Sequence, residues 1–187
     1  MIEMASTLKD IGNPIVSHVV KQKTLDKAPP SGYTYTVRGC FMHAYKEYDS
    51  KEPDRFHKYA GRIGRHIEYA ARIAQQSDFP DYRHGAILVK GSSILNTSTN
   101  KSNYCSFGHR FRRKASGHAT LHAELGAILG MDRAVTEGAT IYVARVGKTG
   151  EFKMSKPCSM CHAAMKHVGI KRVVYTINDK VAGSYKI

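Results

Sequence analysis

Two short patterns bring together residues able to do chemistry: His122-Ala123-Glu124 and Pro157-Cys158-Ser159-Met160-Cys161. They supply one imidazole, two thiols and one carboxylate. The chain has 6 Pro and 4 Cys among 187 residues. At that composition Pro-Cys-x-x-Cys arises by chance in roughly 3 of 1000 sequences, so the pattern is specific. Cys158 and Cys161 stand three apart, which on a helix puts both sulfurs on one face, within reach of a single ion. Pro157 suits the first helical turn, where a missing N–H is no loss, and marks the start of a helix running to about residue 168. Orphan N–H groups and the macrodipole at that end favour the thiolate form that binds metal. His122 comes from a second helix over residues 118–130, in which Leu121, Leu125, Ile128 and Leu129 recur at helical spacing before Gly130 stops it.

An imidazole and two thiolates suit zinc and leave one tetrahedral position open. Open zinc sites carry water, and the ion brings its pKa near neutrality, giving a hydroxide able to attack an electrophilic carbon. Glu124 lies two residues from His122, a separation that does not share a helical face, so it is poorly placed as a fourth ligand. It reads instead as the carrier that moves a proton from the attacking water to the departing group. The competing reading is a structural zinc site closed by a fourth protein ligand. Such sites usually join two short Cys/His spacings, and only one is present.

With 42% hydrophobic residues, the chain has enough apolar content to bury one full core and little length for two. It contains no run of about 20 apolar residues and no basic-then-apolar leader, so the expected setting is cytoplasmic, with no membrane partner. Cys40 and Cys105 are left as free thiols in a reducing compartment.

Residues 1–54, with Pro29-Pro30-Ser31-Gly32 and Tyr33, Tyr35, Tyr45 and Tyr48, show no periodicity and read as an N-terminal extension of a catalytic domain over residues 55–187. A helix is expected over 55–76, with Ile63, Ile67, Ala70, Ala71 and Ala74 on its apolar face and Ser77-Asp78-Phe79-Pro80 ending it. A hairpin follows over 84–90 and 93–97, turning at Gly91-Ser92. Beyond the helix 118–130 come a strand at 140–146, the cysteine helix, a strand at 172–177 and an antiparallel edge strand at 184–187. Helices alternating with strands imply an α/β sandwich around one mixed sheet.

On these residues, positions 60–187 resemble the cytidine and deoxycytidylate deaminase-like superfamily, whose zinc signature is His-x-Glu with Pro-Cys-x-x-Cys. The resemblance spans about two thirds of the chain. It implies a three-layer α-β-α sandwich around a five-stranded mixed sheet ordered 2-1-3-4-5, with one catalytic zinc between two helix N-termini and a homo-oligomeric assembly. It further implies that Asn100 hydrogen-bonds the substrate's sugar or phosphate, although an isolated loop Asn is equally a turn former. By the same resemblance the Lys156 carbonyl faces the departing ammonia and the Ala123 N–H faces the base. Two departures bear on the substrate. Gly126 stands where deoxycytidylate deaminases often carry Asn, and the chain stops at Ile187, short of the further helices of bacterial tRNA adenosine deaminases.

The net charge of +14 is unevenly placed: residues 1–58 hold 9 Lys or Arg against 7 acids, leaving 20 against 8 in residues 59–187. Its densest cluster is Arg110-Phe111-Arg112-Arg113-Lys114, with Tyr104 and Phe107 nearby, in the loop before the zinc helix. Arg112 and Arg113 are candidate phosphate contacts. Basic residues mixed with aromatics also suit single-stranded DNA or RNA, while a solvated, charged loop is the bland reading. Cys105, His109 and His118 in the same loop raise a second, structural zinc that lacks an evident fourth ligand. His84, opening the first hairpin strand, is either a substrate contact or a hydrogen-bonded histidine at the core's edge. The reading as a whole is zinc-dependent hydrolysis of the exocyclic amine of cytosine in a small nucleotide such as dCMP or CMP. The alternatives are the same chemistry on a single-stranded polynucleotide, on cytosine or less readily adenine, and an idle nucleic-acid-binding protein on a deaminase scaffold.

Overall fold

Residues 86–89, Ala-Ile-Leu-Val, are apolar at every position, and a strand of that kind needs cover on both faces of its sheet. The structure is a computed structural model that describes residues 52–112 and 119–187. In chain order its elements are β1 (Arg55–Lys58), α1 (Gly61–Ala74), β2 (Arg83–Lys90), β3 (Ser93–Thr99), β4 (Lys101–Tyr104), α2 (Ser106–His109) and β5 (Thr120–Leu121). Then follow α3 (Ala123–Ile128), α4 (Arg133–Thr136), β6 (Thr140–Val146), β7 (Phe152–Lys153), α5 (Ser159–His167), β8 (Arg172–Thr176) and β9 (Val181–Lys186). Among the described residues no helix is long and apolar enough to cross a membrane.

The main sheet runs β1-β9-β8-β6-β2-β3, with β7 paired to β6. Within it, β3-β2-β6-β8-β9 reproduces the expected 2-1-3-4-5 order, and β6 and β8 are the parallel pair that makes the sheet mixed. The alternating side chains of β2 and β6 divide between two cores. On one face Ile67, Ala70, Ala71 and Ala74 of α1 cover Ile87, Val89, Tyr142 and Ala144. On the other, Leu125 and Ile128 of α3 and Met165 of α5 cover Ala86, Leu88, Ile141 and Val143. The result is the three-layer sandwich. Full burial of Ile67 alone is worth about 1.5–3 kcal/mol. The contact between α1 and β2 is close enough to demand glycine: a Cβ on Gly85 would stand 2.2 Å from the Ala70 carbonyl oxygen. Small alanines on α1 and a glycine on β2 are one arrangement.

Three expectations are corrected here. Among the described residues the sheet has seven strands, not five, because β1 adds to β9 and the short β7 adds to β6. Consequently β9, placed at the sheet's edge by the sequence, is an interior strand, and it begins at Val181. The helix expected over 55–76 begins only at Gly61, with Arg55–Lys58 extended beside β9. These four residues are largely exposed and carry no alternation to announce a strand. Tertiary bonds hold them: His57 Nε2 lies 2.9 Å from Ser184 Oγ, and the Lys186 N–H donates to Asp54 at 2.7 Å. The N-terminal extension up to residue 51, with Cys40, lies outside the described residues.

Candidate active site

His122 and Cys158 occupy the same structural position in two different helices. Each is the extended N-cap residue, with φ −75° and ψ 151° at His122 before α3 and φ −74° and ψ 168° at Cys158 before α5. Both helices were expected to start earlier, at 118 and at Pro157. The first starts late because Thr120 and Leu121 pair with β4 and keep the chain extended up to the histidine. The second starts late because Lys153 and Ser155 are tied down by hydrogen bonds to neighbouring strands. Buried Ser155 donates its hydroxyl to the Val143 carbonyl at 2.9 Å and accepts from the Thr176 N–H at 2.9 Å, while Thr176 Oγ1 donates to the Lys153 carbonyl at 2.6 Å. Pro157 therefore precedes the cap. The convergence of Cys158 and Cys161 survives this shift, because a cap side chain and the third helical residue approach each other just as in a capping box.

The His122 Nδ1 atom lies 3.5 Å from Cys158 Sγ and 3.3 Å from Cys161 Sγ. All three donor atoms fall within 4.8 Å of one another. Tetrahedral zinc with ordinary Zn–N and Zn–S lengths asks for an N···S separation of about 3.6 Å, so the donor set and its spacing fit one zinc ion. Metal binding asks for two thiolates and a neutral imidazole, and of the three donors Cys158 leans towards that form. Hydrogen bonding from Cys161, then His122, brings the Cys158 thiol down to about 4, and bonding to Cys158 raises the His122 pKa. Cys161, fully buried, is pushed up by that burial.

Glu124 sits in the first turn of α3, 5% exposed, and burial raises its pKa. A carboxyl whose pKa is raised is suited to both accepting and giving a proton. It opens into a cavity of about 300 Å³ lined by Phe79, Tyr82, His84, Asn100, Thr120, His122, Ala123, Glu124, Lys156 and Cys158. His122, Glu124 and Cys158 thus share one cavity with the substrate-contact candidates Asn100, Ala123 and Lys156, while Cys161 is buried behind it.

Asn100 is heavily engaged within the protein. Its Oδ1 accepts from Ser77 Oγ at 2.6 Å and from the His84 N–H at 2.8 Å, and its Nδ2 donates to the Tyr82 carbonyl at 2.8 Å. Burial lowers the His84 pKa. Arg112 is half-buried and near enough to His122 to lower its pKa, with one guanidinium nitrogen buried and unpartnered among the described residues, but it is not part of the cavity lining. Arg113, Lys114 and His118 lie outside the described residues, and with His118 goes the second-zinc reading. Cys105 is buried and accepts from the Gly108 N–H at 3.3 Å. At Gly126 an added Cβ would meet Ser98 Oγ at 2.0 Å, so β3 leaves no room for an asparagine at this position.

Residues 62–177 match the family described as the cytidine and deoxycytidylate deaminase zinc-binding region. This chain belongs to that family. Among the deaminases it is similar to, the deoxycytidylate deaminase of Mycobacterium phage D29 is 31% identical over 121 residues, covering 57% of this chain and 87% of the phage protein. The crystal structure of dCMP deaminase from the cyanophage S-TIM5 in apo form matches at 21% identity and a TM-score of 0.43, over 62% of this chain and 82% of that one. Acinetobacter baumannii RibD matches at 18% identity and a TM-score of 0.39, over 62% of this chain and 28% of RibD.

Sequence reasoning missed Phe79, Tyr82 and Thr120 as lining residues of this deaminase-family cavity. The signal available for the first two was an aromatic pair bracketing Pro80-Asp81 just before a buried strand. Nothing marked Thr120, which reaches the cavity through the β4–β5 pairing.

Proposed function

We propose that this chain catalyses hydrolytic deamination of cytosine to uracil in a small nucleotide of the dCMP or CMP class. The observation that carries the reading is a buried carboxyl, Glu124, opening into the same cavity as His122 and Cys158. The chemistry gained when zinc is bound by His122, Cys158 and Cys161 is Lewis acidity, which brings water towards hydroxide near neutral pH. Glu124 takes a proton from the attacking water, passes one to the pyrimidine ring nitrogen and protonates the leaving amine. The water oxygen replaces the exocyclic amine on the ring carbon, and ammonia departs past the Lys156 carbonyl. The Ala123 N–H faces the base. Ser155, through its bonds to Val143 and Thr176, holds the loop that presents Lys156 and Cys158.

Cavity size favours a mononucleotide. At about 300 Å³ the site is at the small end of ligand pockets, a size that suits one nucleotide. The aromatic residues of the basic loop also argue against a strand-binding surface. Phe111 is 3% exposed and stacks edge-on against Phe107 at 5.2 Å, so both rings serve the core and not a nucleobase. Tyr104 alone is offered to solvent, 55% exposed. Arg112 and Arg113 remain as candidate phosphate contacts.

The test is ammonia release from cytidine, CMP, dCMP, dCTP and cytosine-containing single-stranded oligonucleotides. Turnover of the monophosphates, with KM rising sharply when the phosphate is removed, supports the reading. Preferential deamination of oligonucleotides, with affinity falling steeply as salt increases, moves the substrate to a polynucleotide. No ammonia from any of them points to the idle binding scaffold.

A further inference from the structure

Arg55, Arg172, Arg62 and Arg65 gather on the side of the sheet that carries α1, and none of them lines the cavity. Register fixes the first two. Tyr142 pairs with Val174, Val174 with Ser184 and Ser184 with Arg55, so these side chains share one face, and Arg172, two residues before Val174, shares it as well. It is the α1 face, because Tyr142 and Val174 belong to the core that α1 covers. Arg62 and Arg65, both exposed, are three apart on α1 and neighbours on its surface. The His66 ring, 4.7 Å from that of Tyr142, joins the helix pair to the sheet, and His57 Nε2 reaches Ser184 Oγ at 2.9 Å. Burial lowers the pKa of His66, with Arg62 and Arg65 adding to it, and burial lowers that of His57, with Arg172 and Arg55 adding. Arg62 and Arg172 both act on Tyr142. The four guanidiniums therefore form one connected arc from β1 across β8 to α1.

Among the described residues no carboxylate pairs with any of the four. Asp54 accepts from the Lys186 N–H and, with Glu52, acts on Tyr175 in the other core, while Glu68 lies beside Val146 and Phe152. Nor does the arc surround an apolar centre of the kind a protein interface buries. Phe56 is exposed but alternates to the opposite face of β1, and exposed Ile94 and Leu95 belong to β3 at the far edge of the sheet. Arginines without acidic partners or apolar neighbours suit phosphate charge. Two of them stand on a helix and two on the sheet beneath it, an arrangement that a flexible chain can follow and a flat bilayer cannot. We propose that this face binds the phosphodiester backbone of single-stranded nucleic acid without reading its bases. The surface is separate from the cavity, so its binding does not depend on which substrate is deaminated.

The experiment follows the fluorescence anisotropy of a labelled oligothymidylate, whose bases carry no exocyclic amine, with the full-length zinc-loaded protein across a range of salt. The wild type is expected to bind at low ionic strength. Two paired variants, Arg62→Gln with Arg65→Gln and Arg55→Gln with Arg172→Gln, should each flatten the log affinity against log salt slope by roughly 1.4, at about 0.7 per phosphate contact. Zinc content and the thermal unfolding midpoint should stay at wild-type values in both. Should the strand pair fail to fold, the helix pair, whose side chains are exposed, decides alone. An unchanged slope in the folded variants overturns the proposal. So does a slope that flattens only with Arg110→Gln and Arg112→Gln, which places the contact at the basic loop. Absence of oligothymidylate binding by the wild type overturns it without any variant, and so does tighter wild-type binding of phosphatidylserine vesicles or of polyglutamate than of the oligonucleotide.

Discussion

On the metal side of the cavity, three donors and the carboxyl come from two short segments, 122–124 and 158–161, each delivered by the first turn of a helix. The β2–β3 wall is assembled differently. Ser77, Tyr82, His84 and Asn100 belong to a loop, a strand and the end of another strand, and a chain of side-chain hydrogen bonds holds them together. The first region takes its geometry from local helix stereochemistry, the second from tertiary pairing. The metal side is therefore expected to fail all at once when a donor is lost, whereas the wall should fail gradually, in affinity before chemistry.

The sharpest way to break that contrast is to remove a donor. His122→Ala and Cys161→Ala are each expected to lose bound zinc and essentially all deamination, measured as metal content and ammonia release on the same preparation. Full zinc retention in both would show that the cluster is not the metal site. On the wall, Asn100→Ala strips three side-chain hydrogen bonds and leaves the His84 N–H and the Tyr82 carbonyl short of partners. A cost of about 1–3 kcal/mol in denaturant unfolding is expected, with a higher KM and unchanged zinc content. Loss of zinc in this variant would mean that the two regions are not separable. The smallest effect belongs to the rim. Lys148 and Asp81 form an ion pair at 2.7 Å with side chains 75% and 52% exposed, so Asp81→Asn should leave the thermal unfolding midpoint where it was. A clear drop would show that surface charge, not the Asn100 network, holds the 77–82 loop in place.

The same contrast explains what could be read from the sequence. The zinc donors were legible because Pro-Cys-x-x-Cys and His-x-Glu are local patterns whose residue types have few other uses together. The hairpin, β6, β8 and the apolar face of α1 were legible because their periodicity is unbroken and both sheet faces are buried. β1 was not legible, since Arg55–Lys58 is an exposed segment made a strand only by β9. The starts of α3 and α5 were misplaced for the same reason: the pairing of Thr120 with β4 and the anchoring of Ser155 to Thr176 are non-local, and each keeps extended a stretch that local propensity reads as helix. Phe111 shows the opposite error. Its place among arginines suggested a surface ring, yet it packs into the core beside Phe107.

The central claim is that Glu124 moves the proton in a reaction whose metal it does not hold. Glu124→Gln preserves the shape of the side chain and removes its ability to ionise, so zinc content and dCMP turnover measured on one preparation test the claim directly. The expected result is one zinc per chain retained and turnover reduced by about 10² to 10⁴. Near-normal turnover, or loss of the zinc along with the carboxylate, would contradict it.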